Sequence, residues 1–137
     1  MVDAEGIPVG LAVAGANRPD CKMAEETLNS IPVDRPEPTP EEPQGLCLDK
    51  GYVGDEVAEL AQEFGFTLHI PPKGKDAQQL KHKARAKARR WVVERTHSWM
   101  NRFRGILLRW SKKPANYIAL LHLSFAFIIY GRMELTG

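Results

Sequence analysis

Short apolar runs bounded by turn residues occupy the first half of the chain, and longer apolar repeats of helical period occupy the second. Val2 to Ala14 reads as a strand stub, a turn around Glu5-Gly6 and a second strand with β-branched residues. Only Met1 and Val2 precede that turn, so the chain is expected to begin inside an element. Asn17-Arg18-Pro19-Asp20 is a helix-start signal with Asp20 as N-cap, which predicts a short helix over Cys21 to Ser30. Five prolines and several acids between Ile31 and Gly45 predict a solvated loop that does not pack. Leu46-Cys47-Leu48 then reads as a buried strand closing on Asp49. Val57, Leu60, Ala61 and Phe64 recur at helical spacing, predicting a helix within Gly54 to Gly65 with Gly65 as its C-cap. Thr67 to Ile70 is a further short strand, stopped by Pro71-Pro72.

Lys73 to Lys87 has no apolar stripe and reads as a loop or as a helix ordered only by nucleic acid. A long helix is expected from Ala88 to about Lys113. Arg90, Glu94, His97 and Asn101 fall along one of its faces, while Trp91, Val92, Trp99, Phe103 and Ile106 supply apolar surface elsewhere. Tyr117 to Tyr130 is apolar nearly all round but carries His122 and Ser124 and is shorter than the ~20 residues of a membrane span, so it is expected to be a core helix, with a membrane segment as the alternative. The order β-β-α-β-α-β followed by helices places the chain in the α/β class.

A length of 137 residues fits one domain. The net charge of +2 hides a division. Met1 to Phe66 carries 14 Asp and Glu against 4 Lys and Arg, whereas Thr67 to Lys113 carries 2 against 14. Such a basic stretch is the footprint expected for a polyanion, because each neutralised phosphate releases counterions. The alternative is that the two halves neutralise each other. Cys21 and Cys47 fit no metal spacing and are expected to be free thiols in a reducing cytoplasm. The start of the chain has no basic segment before an apolar one, so no secretory leader is expected.

Two acids stand out. Asp49 is expected at the carboxyl end of a strand, where α/β proteins place their chemistry. Glu94 lies inside the most basic stretch, either as a surface ion-pair partner or as a charge that holds a cation beside a phosphate.

Three strings in order carry a resemblance: Ala-Gly-Ala-Asn-Arg-Pro-Asp-Cys-Lys-Met, the Asp49-Lys50-Gly51-Tyr52 turn, and Arg-Trp-Val-Val-Glu-Arg-Thr-His-Ser-Trp-Met-Asn-Arg-Phe-Arg from Arg90. Together they resemble the catalytic region of DDE-type insertion-sequence transposases, over nearly the whole chain. The resemblance implies a ribonuclease-H-like fold in which two Asp and one Glu hold two divalent cations, Mg²⁺ or Mn²⁺. Asp49 maps onto the second acid and Glu94 onto the third. In the family pattern Tyr-x2-Arg-x3-Glu-x6-Lys, Arg90 and Glu94 match, while Lys87 stands at the Tyr position and Asn101 at the Lys position. Two such cations activate a water or 3′-hydroxyl on one side of a phosphodiester and stabilise the leaving oxygen on the other.

Arg90 and Arg95 are the expected phosphate contacts, because guanidinium offers a bidentate fork. Lys50, His97, Asn101 and Arg102 complete the expected DNA-binding set; His97 orients substrate or a metal-bound water, or is structural. The first Asp of the family lies upstream of the region where this chain starts, and neither Asp3 nor Asp20 replaces it by motif. Residues 1–137 are therefore expected to be a partial catalytic domain lacking its first central strand, with a proline-rich loop over 31–45, a basic connector over 73–87 and C-terminal helices over 88–132. The partners implied are transposon-end and target DNA, an upstream polypeptide that supplies the missing strand and Asp, and further copies of the chain; no membrane is expected. As an enzyme part the chain cuts and joins DNA once completed; as a remnant it binds DNA and regulates an intact transposase.

Overall fold

The computed structural model describes residues 1–71 and 90–136, which fall into two compact units, 1–13 with 90–136, and 14–71. The basic connector expected over 73–87 lies outside the described residues.

The 14–71 unit is built on a strand-helix-strand crossover. β1 (Gln44–Cys47) and β2 (Phe66–His69) pair in parallel, with Gln44 opposite Phe66 and Cys47 opposite His69. Parallel strands need a crossover, and α2 (Asp55–Glu63) supplies it and packs against β2. Asp55 and Glu56 complement the positive end of its dipole, and Val57 and Ala61 are buried one turn apart. The helix stops at Gly65, whose φ of 71° is the left-handed conformation that suits glycine, and whose amide donates to the Gln62 carbonyl at 2.9 Å. Leu28, Leu46, Val57 and Ala61 are the buried apolar residues of this unit.

α1 (Ala24–Asn29) follows a 3-10 turn over Asp20–Met23. Asp20 is not the N-cap expected of it: Pro19 holds that position, and Asp20 begins the turn itself. Residues 31–43 are irregular, as their prolines require, but they are held in place. Arg35 donates to Gln44 Oε1 at 2.7 Å and to the Phe64 carbonyl at 2.6 Å, and its guanidinium lies 4.0 Å from the Phe66 ring centroid. One guanidinium thus joins the loop to both strands. The expectation of a loop that does not pack is corrected here, because the planar fork meets a carbonyl and an aromatic face together.

In the other unit the amino-terminal hairpin is reduced to a single antiparallel bridge between Val2 and Pro8. Proline has no N–H to extend a ladder, so the expected second strand does not form. The turn is fixed by Asp3, whose Oδ1 accepts from the amides of Glu5 and Ile7, both at 2.8 Å. Gly6 takes φ 81° within it.

This turn rests on α3 (Arg90–Met100). Thr96, 2% exposed, donates from Oγ1 to the Gly6 carbonyl at 2.5 Å, and Val92 is buried one turn before it. The helix expected to run to Lys113 ends at Met100. Asn101 and Arg102 form a turn, Phe103 is extended, and a four-residue α4 (Arg104–Leu107) follows. The Phe103 ring lies 6.3 Å from that of Phe127 on α5 (Pro114–Thr136), so tertiary contact outweighs helical propensity at the break.

α5 has 23 residues, with Pro114 as its first. Leu121, Ser124 and Ile128 are buried along one face. Leu120, Leu123, Phe127 and Tyr130 form an exposed apolar stripe. Pro114–Met133 is long and apolar enough to cross a membrane by length and composition alone, and 17% of it is buried within the chain. Both the length expected for this helix and its role as a core helix are corrected. Polar residues at each end extend it, and a helix apolar all round exceeds what this unit has to cover it.

The contact between Gly6 and α3 is the most exacting in this unit. A Cβ at Gly6 would lie 3.1 Å from Thr96 Oγ1 and 3.1 Å from the Val92 carbonyl oxygen, at a φ that disfavours L side chains. Gly6→Ala is expected to destabilise the chain by about 2 kcal/mol or more, from left-handed strain plus the collision. Thr96→Ser keeps the hydroxyl and should cost less than Gly6→Ala. Urea midpoints followed by tryptophan fluorescence measure both.

Candidate functional site

Asp49 lies two residues beyond β1, at the carboxyl end of a parallel strand. The Leu48 amide still donates to the His69 carbonyl at 3.0 Å, so the strand pairing reaches up to Asp49. Asp49 caps the 3-10 turn Lys50–Tyr52, with Oδ1 accepting from the Gly51 amide at 2.7 Å. A Cβ at Gly51 would lie 3.0 Å from that oxygen, a tight contact that the Asp49 side chain would have to ease by a small shift. The carboxylate is exposed, one oxygen is engaged locally, and Lys50 beside it is also exposed.

Tyr52 reports on this turn. Burial pushes its phenol above the ordinary value of 10.0, and the negative charges of Asp20, Asp49 and Cys21 add to the shift. The 3-10 turn carrying Asp20 and the one carrying Tyr52 touch. Two acids thus flank one phenol, an arrangement that the linear spacing of 29 residues between Asp20 and Asp49 hides. Cys21 and Cys47 are both free thiols.

Glu94, His97 and Asn101 are all exposed. Arg90 begins α3, Glu94 and His97 lie on it, and Asn101 lies one residue past its end, its amide completing the last turn by donating to the His97 carbonyl at 2.9 Å. Arg102 is exposed in the following turn. Glu94 and His97 are thus exposed on the helix, and Asn101 is exposed one residue beyond it.

Arg95, one of the expected phosphate contacts, makes several contacts within its own unit. Its guanidinium lies 4.7 Å from the Trp91 ring centroid and 5.3 Å from that of Trp99, and it donates to the Glu5 carbonyl. Its Nε is buried without a hydrogen-bond partner. Arg132 of α5 approaches Trp99 from 5.4 Å. The Trp91-Arg95-Trp99 repeat at intervals of four was visible in the sequence as the signal for this stack. Arg95 therefore holds the amino-terminal turn and the two indoles of α3 together.

Asp49 and Lys50 belong to the 14–71 unit, and Arg90, Glu94, Arg95, His97, Asn101 and Arg102 to the other. Among the described residues no three His, Cys, Asp or Glu side chains converge into a metal-ligand set. Asp49 and Glu94 are both exposed carboxylates, one two residues past a strand and one on a helix. Carboxylate oxygen suits Mg²⁺ or Mn²⁺, which retain several waters and need few protein ligands.

The coupling around Tyr52 is measurable. Its raised value favours the neutral phenol in the fold, so that contribution to stability is complete below pH about 10 and is lost as pH rises through the folded value. Asp49→Asn should move the Tyr52 titration to lower pH, read from tyrosinate absorbance. An unchanged titration would separate Asp49 from the phenol.

Residues 46–131 match the transposase DDE domain family. Along its length the chain is similar to a protein of Burkholderia cepacia named as a transposase for the insertion sequence element IS402, with 26% identity over 137 residues. That alignment covers 98% of this chain and 62% of the relative, so the chain spans less than two thirds of that protein's length. No solved structure matches the chain. The mixed architecture of helices and a small parallel sheet accords with the ribonuclease-H-like fold that the family implies. With the match reaching from the end of β1 to the penultimate turns of α5, and so through both Asp49 and Glu94, the chain belongs to the DDE transposase family of insertion sequences.

Proposed function

We propose that this chain supplies two of the three acids with which a DDE transposase cuts and joins DNA. The observation that carries the reading is Asp49, held at the carboxyl end of a parallel strand by its own turn, in a chain whose basic helix presents Glu94 to solvent. Divalent cations, when bound, would supply the Lewis acidity that activates a water or 3′-hydroxyl and stabilises the departing oxygen. Asp49 offers the oxygen left free by its capping bond, and Glu94 offers its carboxylate among cations that attract the phosphate backbone. Lys50, Arg90 and Arg102 meet phosphates, His97 and Asn101 orient the strand near Glu94, and Arg95 acts indirectly by holding α3.

The first Asp comes, on this reading, from a segment preceding the stretch matched to the family, and its strand completes the sheet beside β1. A two-stranded sheet of four-residue strands is marginal by itself, which supports a requirement for further strands. Self-association belongs to the same reading, because the Leu120-Leu123-Phe127-Tyr130 stripe is left in water.

The second reading, a regulatory DNA-binding remnant, draws on the basic segment alone and needs neither acid. Nicking of supercoiled plasmid in Mn²⁺ distinguishes them. The chain mixed with a polypeptide carrying the upstream strand and its Asp is expected to nick DNA, and Glu94→Gln or Asp49→Asn should abolish the activity. Nicking that survives both substitutions would contradict the assigned acids. A folded, soluble mixture that binds DNA without nicking it would favour the remnant.

A further inference from the structure

The loop between α4 and α5 has an unusual surface. Trp110 is 81% exposed, and Leu107 and Leu108 are 58% and 57% exposed. An indole exposed to this extent forgoes most of the burial that normally stabilises a large aromatic side chain, and such exposure marks a contact surface when it is clustered. The loop itself is ordered by its backbone. The Leu108 amide donates to the Arg104 carbonyl at 3.1 Å, and the Trp110 amide donates to the Leu108 carbonyl at 2.8 Å, turning the chain sharply at Arg109.

The charges around Trp110 have one sign. Arg104, Arg109, Lys112 and Lys113 are all exposed. From Arg95 to Met133 the sequence contains no Asp or Glu, so this segment has no acid of its own to pair with them. The Arg109 guanidinium lies 5.3 Å from the Tyr117 ring centroid, which restricts it on the α5 side of the loop. An exposed indole between phosphate-binding cations is the combination that single-stranded nucleic acid recognises: bases stack on the ring while the backbone follows the charges.

We propose that the loop over 108–113 binds DNA with unpaired bases, with Trp110 stacking on a base and Arg109, Lys112 and Lys113 meeting the flanking phosphates. This rests on the reading of the chain as a DNA-processing protein and adds to it a preference for strands that have been opened. Duplex DNA keeps its bases stacked on each other, so it engages the cations and not the indole.

Binding of the full chain to a labelled single-stranded oligonucleotide and to the same sequence as duplex tests this, by fluorescence anisotropy across a salt series. Trp110→Ala is expected to weaken single-strand binding about tenfold and leave duplex binding unchanged. Trp110→Phe, which keeps an aromatic face, should retain most of the single-strand affinity. The double variant Lys112→Ala/Lys113→Ala should weaken both and reduce the salt slope by about 2, roughly 1 for each cation lost. If Trp110→Ala binds single strands as tightly as the unaltered chain does, the stacking proposal is overturned while the DNA reading stands. If the unaltered chain binds neither form, both fail. If Trp110 fluorescence shifts to the blue on vesicles rich in anionic lipid and does not respond to oligonucleotide, the loop serves a lipid surface and the proposal is also overturned.

Discussion

The unit that carries Glu94 depends on a single close approach, the amino-terminal turn at Gly6 resting on Thr96 of α3. The hydroxyl reaches the Gly6 carbonyl at 2.5 Å in a site where Thr96 is 2% exposed. A buried carbonyl without a donor costs about 1–3 kcal/mol, so this hydroxyl has a structural role beyond its modest net bond energy. Only glycine fits, since its φ is positive and three atoms of α3 crowd the place of a Cβ. With the turn seated, Arg95 stacks on Trp91 and Trp99 and reaches the Glu5 carbonyl. The inward face of α3 is then occupied, and Glu94 and His97 are left on the solvent side.

The other unit solves a similar problem with different chemistry. A parallel pair of four-residue strands has little stability of its own, so the crossover helix and the Arg35 clasp carry much of the organisation. The clasp pins the proline-rich loop to Phe64 and Gln44, while Asp49 finishes β1 by capping its own turn. The acid is positioned by backbone geometry rather than by a charge partner.

Much of this was legible in the sequence, and the reasons differ by element. α2 was readable because spacing, acidic first turn and terminal glycine agree across Asp55 to Gly65. Asp49 was readable because an apolar run followed by Asp-Lys-Gly is both a strand end and a turn. The amino-terminal hairpin was overestimated, because Pro8 stops the ladder that its β-branched neighbours suggest. The break at Asn101 was hidden, because Phe103 turns away to meet Phe127, which is distant in sequence. For the same reason neither the Arg35 clasp nor the Thr96–Gly6 bond could be read locally: their partners lie 29 and 90 residues away. Arg95 was read for its guanidinium fork, while the tryptophans four residues to either side already pointed to the stack it makes within the chain.

The central claim is that Asp49 and Glu94 are cation ligands. Amide NMR of the chain, supplemented with the upstream segment and titrated with Mn²⁺, tests it most directly, because paramagnetic broadening reports proximity to the ion even when binding is weak. The account predicts saturable broadening at the Asp49–Tyr52 turn and along α3 around Glu94, the first lost in Asp49→Asn and the second in Glu94→Gln. Broadening confined to the acidic residues of the 31–43 loop, with the Asp49 turn and α3 unaffected, would contradict it.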